Sequence, residues 1–289
     1  MEAVLAVDVA HRARRLGHHV AGGGRREDGV SAGVSHILAV SITGRYDTWS
    51  PKQEQRLPHE RTIFIGDIHG CAAEFEALLD AVVFRSGRDR LLLTGDAFTR
   101  GPDPLRVWEL IDETGADMVL GNHDDRQLRQ FRAHASGGEP RFKYENQRRT
   151  FDKLEHVSRQ LLAWLEARPL YIEEEDFLLV HAGIHPDNGM AGTARDEFLR
   201  IRTWPAATGS IDGPRWHDVI TPLEERTLVF GHDAPGGLVV HRAREGDRPW
   251  LVGLDSACIY GGSLSAWIQE EDRIVQIDSR QGDGSRWWE

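Results

Sequence analysis

Five strand-length apolar runs in this chain each break off into a short cluster of glycine, aspartate, asparagine and histidine. Ile63-Phe64-Ile65 runs into Gly66-Asp67-Ile68-His69-Gly70, Leu91-Leu92-Leu93-Thr94 into Gly95-Asp96, and Met118-Val119-Leu120 into Gly121-Asn122-His123-Asp124. Leu178-Leu179-Val180 leads to His181-Ala182-Gly183, and Leu228-Val229-Phe230 to Gly231-His232-Asp233. Between the first three runs lie helical patterns, with Phe75, Leu78, Leu79 and Val82 on one face of 72–84, and Leu105, Trp108, Leu110 and Ile111 behind Pro102-Asp103-Pro104. A strand-helix-strand-helix-strand order predicts a parallel sheet. In open sheets of this kind ligands bind beyond the carboxyl ends of the strands, so the five clusters are expected to converge.

The rest of the pattern completes a fold expectation. Residues 124–167 read as one long helical stretch closed by Arg168-Pro169, and strands are expected at 177–180, 227–230, 237–242, 250–254, 264–268 and 274–278. Turn residues such as Gly236-Gly237 and Glu271-Asp272 suggest antiparallel pairing in this half. The fold class that fits is α/β, two packed sheets in a β-sandwich flanked by helices. Residues 1–60, with Gly22-Gly23-Gly24 and a single strand-like run at 37–42, read as a poorly ordered N-terminal extension. That leaves 61–289 as the folded domain that carries all five clusters.

Composition removes several functions. No apolar run among the 289 residues approaches the roughly 20 needed to cross a bilayer. A net charge of −11 disfavours general binding to nucleic acid or to an anionic membrane surface. Two cysteines, Cys71 and Cys258, are too few for a disulfide scaffold and point to a reducing compartment, so the expected location is cytoplasmic.

Asp67, His69, Asp96, Asn122, His181 and His232 together offer carboxylate, imidazole and amide oxygen, a set suited to divalent ions of intermediate hardness such as Mn, Fe, Co or Zn. Six ligands exceed what one catalytic ion with an open position takes, whereas two ions sharing a carboxylate accommodate them. Such a pair acidifies a bridging water to hydroxide near neutral pH. Cysteine-based phosphatase chemistry fails, because Ala77 and Leu264 stand where an arginine six residues after each cysteine is needed.

These motifs resemble those of the calcineurin-like metallophosphoesterases, in the branch shared by phosphoprotein phosphatases and symmetrical diadenosine tetraphosphatases, over residues 61–278. The resemblance implies a two-sheet sandwich holding two metal ions, with manganese as the first expectation. It implies that Asp67 and His69 hold one ion, that Asp96 bridges both, and that Asn122, His181 and His232 hold the second. His123 then matches the general acid, Arg100 the arginine that grips the phosphate, and Arg202 a second phosphate-contacting arginine.

One position departs from the phosphoprotein phosphatases, which carry an aspartate where this chain has Thr99. A threonine cannot raise the pKa of His123 by charge, although Asp124 or Asp125 are candidates to replace it. Phosphoanhydrides, which leave more easily than serine alkoxides, are therefore the expected substrates, in a dinucleoside polyphosphate or in polyphosphate. Local matches at Gly231–Ala234 and Leu254–Gly262 lean toward the tetraphosphatase-like group. A serine/threonine phosphoprotein phosphatase is the alternative, and a non-catalytic module holding phosphorylated partners a third reading.

Two further features have two readings. Asp255 orients a metal-ligating histidine or caps a turn. The basic residues between Arg126 and Arg149 form a solvated face or a track for a long polyanion. His185, His217 and His241 are expected to be surface or satisfied structural residues, and the cysteines to serve packing.

Overall fold

The computed structural model describes residues 59–223 and 225–283; the run at 37–42 and nearly all of the expected 1–60 extension lie outside the described residues. In chain order the elements are β1 (Arg61–Ile65), α1 (Ala72–Ala81), β2 (Asp89–Leu93), α2 (Pro104–Thr114), β3 (Asp117–Met118), α3 (Asn122–Ala135), α4 (Glu145–Leu154), α5 (Ser158–Glu166), β4 (Tyr171–Glu173), β5 (Phe177–Val180), α6 (Arg195–Arg200), α7 (Trp216–Val219), β6 (Thr227–Phe230), β7 (Val239–His241), β8 (Leu251–Gly253), β9 (Ser263–Ile268) and β10 (Arg273–Asp278).

The strands form two mixed five-stranded sheets, in the orders β10-β9-β1-β2-β3 and β4-β5-β6-β8-β7. Their pleat explains the unbroken apolar runs. Alternate residues point to opposite faces, so Ile63 and Ile65 pack under the helices while Phe64 faces the second sheet. Phe64 meets Phe177 edge-on at 5.0 Å and stacks on Trp267 at 5.5 Å, joining the sheets in one layer with Leu92, Leu179, Val229 and Val252. Leu178, Val180, Leu228 and Phe230 point the other way, onto Phe198 of α6 and Trp216 of α7. Helices α1 to α5 cover the outer face of the first sheet.

Two expectations need correction, and one strand was not expected. The stretch 124–167 is three helices rather than one, because Gly137, at φ +75°, ends α3 and a loop with Pro140 follows. Pairing in the second half is only partly antiparallel. β9 with β10, β7 with β8 and β4 with β5 are antiparallel, but β5, β6 and β8 run parallel. Those three are the strands buried on both faces, where parallel pairing is found. The short strand β4 carries no apolar alternation to announce it; Tyr171 and Glu173 are exposed at the sheet edge. Among the described residues no helix is long and apolar enough to cross a membrane.

Candidate active site

The parallel strands β1, β2 and β3 end beside one another, as do β5 and β6 in the other sheet. The loops leaving them are tied together by main-chain bonds: His69 N–H donates to Asp96 O at 2.9 Å, Gly70 to Ala97 at 2.8 Å, and Gly231 to His181 at 2.8 Å. All of the expected ligands sit at this junction. Three of them, His69 (φ +50°), Asp96 (+52°) and His232 (+65°), adopt left-handed backbone, as does Arg100 (+85°). Each such residue costs on the order of 1–3 kcal/mol and persists only where its surroundings over-determine it. The neighbouring glycines allow close approach. A Cβ at Gly121 would lie 2.2 Å from Asp96 Oδ1, and one at Gly231 would lie 2.1 Å from Asp67 Oδ1.

Asp96 is the centre. Its Oδ2 lies 3.8 Å from His69 Nε2, 3.7 Å from His181 Nε2 and 4.0 Å from His123 Nε2. Two buried groups able to hold a metal ion share it: Asp67, His69 and Asp96 on one side, Asp96, His181 and His232 on the other. Asn122 joins the second group, with Oδ1 3.1 Å from His181 Nε2. The tautomers suit ligation. His69 Nδ1 and His181 Nδ1 donate to the main-chain oxygens of Thr99 (3.1 Å) and Thr94 (2.8 Å), which leaves a lone pair on each Nε2. His232 Nε2 is buried with no hydrogen-bond partner among the described residues.

Electrostatics agree with this donor set. Burial, with Arg100 adding to it, pushes the His69 imidazole down to about 3, and burial likewise lowers His181 and His232, so all three are neutral at pH 7. Burial first, then the charges of Asp255 and Asp96, pushes Asp67 well above the usual carboxylate range. Buried carboxylates facing neutral imidazoles call for a cation.

The cavity over this cluster measures about 580 Å³ and is bordered by both expected arginines. Arg100 lies 3.4 Å from His69 Nε2 and is stacked over the Tyr260 ring at 5.4 Å; Arg202 donates to His232 O at 3.1 Å. Tyr144, Asn146 and Asp255 also line it.

Several expectations change here. Among the described residues the carboxylate within 4.0 Å of His123 is that of Asp96; the ring packs edge-on against His69 at 5.1 Å, and its Nδ1 is buried with no hydrogen-bond partner. Neither neighbour replaces the carboxylate missing at Thr99. Asp124 is committed to the N–H groups of Asp96 (2.6 Å), Gly121 (3.1 Å) and Ala97 (3.2 Å), and Asp125 pairs with Arg129 and Arg195. Asp255 accepts from Ala257 N–H at 3.1 Å, the turn-capping reading. In the basic stretch Arg129 and Arg132 are ion-paired, the latter with Glu166, and the residues it gives the cavity are Tyr144 and Asn146. His185 is satisfied, accepting from Asp187 and Asn188 N–H, whereas His217 is buried with neither ring nitrogen hydrogen-bonded. Sequence reasoning missed the structural task of Asp124, whose only signal is its place three residues after Gly121 at the start of α3.

The sequence model of the calcineurin-like phosphoesterases matches residues 60–265. The symmetrical bis(5'-nucleosyl)-tetraphosphatase of Nitrosomonas europaea is 38% identical, over 75% of this chain and 97% of its own length. That of Erwinia tasmaniensis is 30% identical, over 76% and 98%. A crystal structure provisionally assigned as a diadenosine tetraphosphatase superposes with a TM-score of 0.62 at 31% identity, covering 77% of this chain and 95% of the other.

Proposed function

The chain belongs to the calcineurin-like phosphoesterases and is a phosphohydrolase, and from that premise we propose that it cleaves phosphoanhydrides in dinucleoside polyphosphates such as diadenosine tetraphosphate. The relatives that cover three quarters of this chain carry that activity in their names. The observation that carries the reading within this chain is that, among the described residues, His123 has no carboxylate beside it except Asp96. An anhydride leaves as a stabilised phosphate anion and needs little help from an acid. A serine alkoxide needs much more.

In this reading Asp67 and His69 would hold one divalent cation, Asn122, His181 and His232 a second, and Asp96 both, with manganese first and iron, cobalt or zinc as substitutes. Bound there, the pair would supply a nucleophilic water at neutral pH and neutralise phosphoryl charge. Arg100 and Arg202, near opposite ends of the cluster beside His69 and His232, grip the non-bridging oxygens on either side of the bond that breaks. His123, at the start of α3 with Nε2 4.0 Å from Asp96 Oδ2, would stand beside the departing oxygen and orient it. Water adds its oxygen to phosphorus, and its protons end on the two phosphate products. We take the compartment to be the cytoplasm, in keeping with two buried thiols at Cys71 and Cys258, and the catalytic domain to be 61–289.

The test compares diadenosine tetraphosphate, long-chain polyphosphate and a phosphoserine peptide on metal-stripped protein given Mn, Co, Zn or Mg. Nucleotides are resolved by anion exchange and orthophosphate is measured in parallel, since mid-chain cleavage releases none. Nucleoside diphosphate from the first substrate with little peptide turnover is expected. Peptide dephosphorylation that outpaces anhydride cleavage would make the chain a phosphoprotein phosphatase instead.

A further inference from the structure

A second polar cluster lies outside the cavity, where α7 meets β7, the edge strand of the second sheet. His217 and Asp218 come from the helix and His241 from the end of the strand. A ring nitrogen from each histidine and a carboxylate oxygen of Asp218 all lie within 4.8 Å of one another. None of the three borders the 580 Å³ cavity.

His217 does not behave as a core histidine. It is 4% exposed and packs on Trp216 and Phe230, yet neither ring nitrogen has a hydrogen-bond partner among the described residues. Nδ1 lies 3.4 Å from Asp218 Oδ1 and Nε2 lies 3.6 Å from Asp233 Oδ2, so each nitrogen is aimed at a carboxylate without bonding it. Leaving both nitrogens desolvated is costly unless something satisfies them.

We propose that His217, Asp218 and His241 form a third cation site, for a borderline divalent ion with zinc first, and that Asp233 stands behind His217 as its carboxylate partner. Two imidazoles and a carboxylate with an open position are a zinc donor set. A ligating histidine whose far nitrogen faces a carboxylate is the arrangement that fixes its tautomer and raises its basicity. Ligand atoms at about 2.0–2.2 Å from a tetrahedral zinc stand about 3.3–3.6 Å apart. His217 Nδ1 and Asp218 Oδ1 already stand 3.4 Å apart, and the exposed Asp218 side chain has room to adjust around an ion. Asp233 also meets Arg215 at 3.2 Å and follows His232, so the site sits directly behind the catalytic cluster.

This assignment is independent of the substrate. Equilibrium dialysis of the full chain against micromolar free zinc, with metal content by mass spectrometry, tests it. His241→Ala and Asp218→Asn, both at accessible positions, are each expected to bind one zinc fewer per chain than the unmodified protein. They keep the same circular dichroism and the same anhydride hydrolysis in manganese. Equal zinc content in the unmodified protein and both variants would overturn the site.

Discussion

Replacing Asp124 with alanine removes the acceptor for three buried main-chain donors, those of Asp96, Ala97 and Gly121. Asp124 is fully buried, so water does not readily take its place. At about 1–2 kcal/mol for each orphaned donor the loss is about 3–6 kcal/mol. For a domain of this size that lowers the melting temperature by on the order of 10 °C or more. The same three bonds hold the left-handed turn at Asp96, so kcat is expected to fall by at least about a hundredfold in the folded fraction, a loss worth roughly 2.7 kcal/mol. Asp124→Asn is the informative comparison. Burial, with the Asp96 charge adding to it, pushes the Asp124 carboxyl up to about 8, so at pH 7 an amide imitates the protonated acid. Its oxygen can keep the bonds to Asp96 and Gly121, and the asparagine protein is expected to be much the more stable of the two. Urea and thermal unfolding of metal-free protein at pH 7 measure both. An alanine variant within 1 kcal/mol of the parent, or an asparagine variant as damaged as alanine, would refute the hydrogen-bond argument.

Three other outcomes follow from the same geometry. In metal-free protein the buried imidazoles of His69, His123, His181 and His232 lie below their ordinary range, while Asp67, Asp124 (about 8) and Asp255 (about 7) lie above theirs. Below the ordinary histidine value the unfolded chain binds protons the folded chain refuses, so stability falls with acid; between about pH 4 and 8 the folded carboxyls keep protons the unfolded chain has shed, so stability falls as pH rises. His241, partly buried beside His217, is lowered as well; with five imidazoles against three carboxyls, urea midpoints should peak at about pH 6–7 and shift upward with saturating manganese, and a metal-free midpoint still climbing at high pH contradicts this. Thr99 and His123 border the same small void, so Thr99→Asp should raise turnover of an alkyl phosphomonoester relative to diadenosine tetraphosphate by about tenfold, and an unchanged ratio counts against the leaving-group argument. Tyr144 offers an exposed ring at the cavity wall, so Tyr144→Ala should raise KM for the dinucleotide by about 5- to 100-fold, as for loss of one stacked base, but not for inorganic polyphosphate; equal effects on both would mean the ring does not stack on a base.

The strand ends and the candidate ligands grouped at them were readable in the sequence for a local reason. Each candidate ligand comes within a few residues of the end of an apolar run, and a run buried on both faces of a parallel sheet has to end at the same edge as its neighbours. Asp67, His69, Asp96, Asn122, His181 and His232 were therefore identifiable together, as were Arg100 and His123 within their motifs. Pairing in the second sheet was less legible, because an apolar run does not state which neighbour it will bond.

What the tertiary structure decided depends on through-space contacts that no periodicity encodes. Asp124 and Asp125 have equal standing in the sequence as partners for His123, but folding turns one toward three main-chain donors and the other toward Arg129 and Arg195. His217 and His241 are 24 positions apart and carry no motif, yet a short helix and an edge strand bring their rings to 6.0 Å. Local sequence specifies which backbone a segment prefers; which polar groups meet is set by how the two sheets and their loops pack, since buried polar atoms must find partners wherever the fold happens to put them.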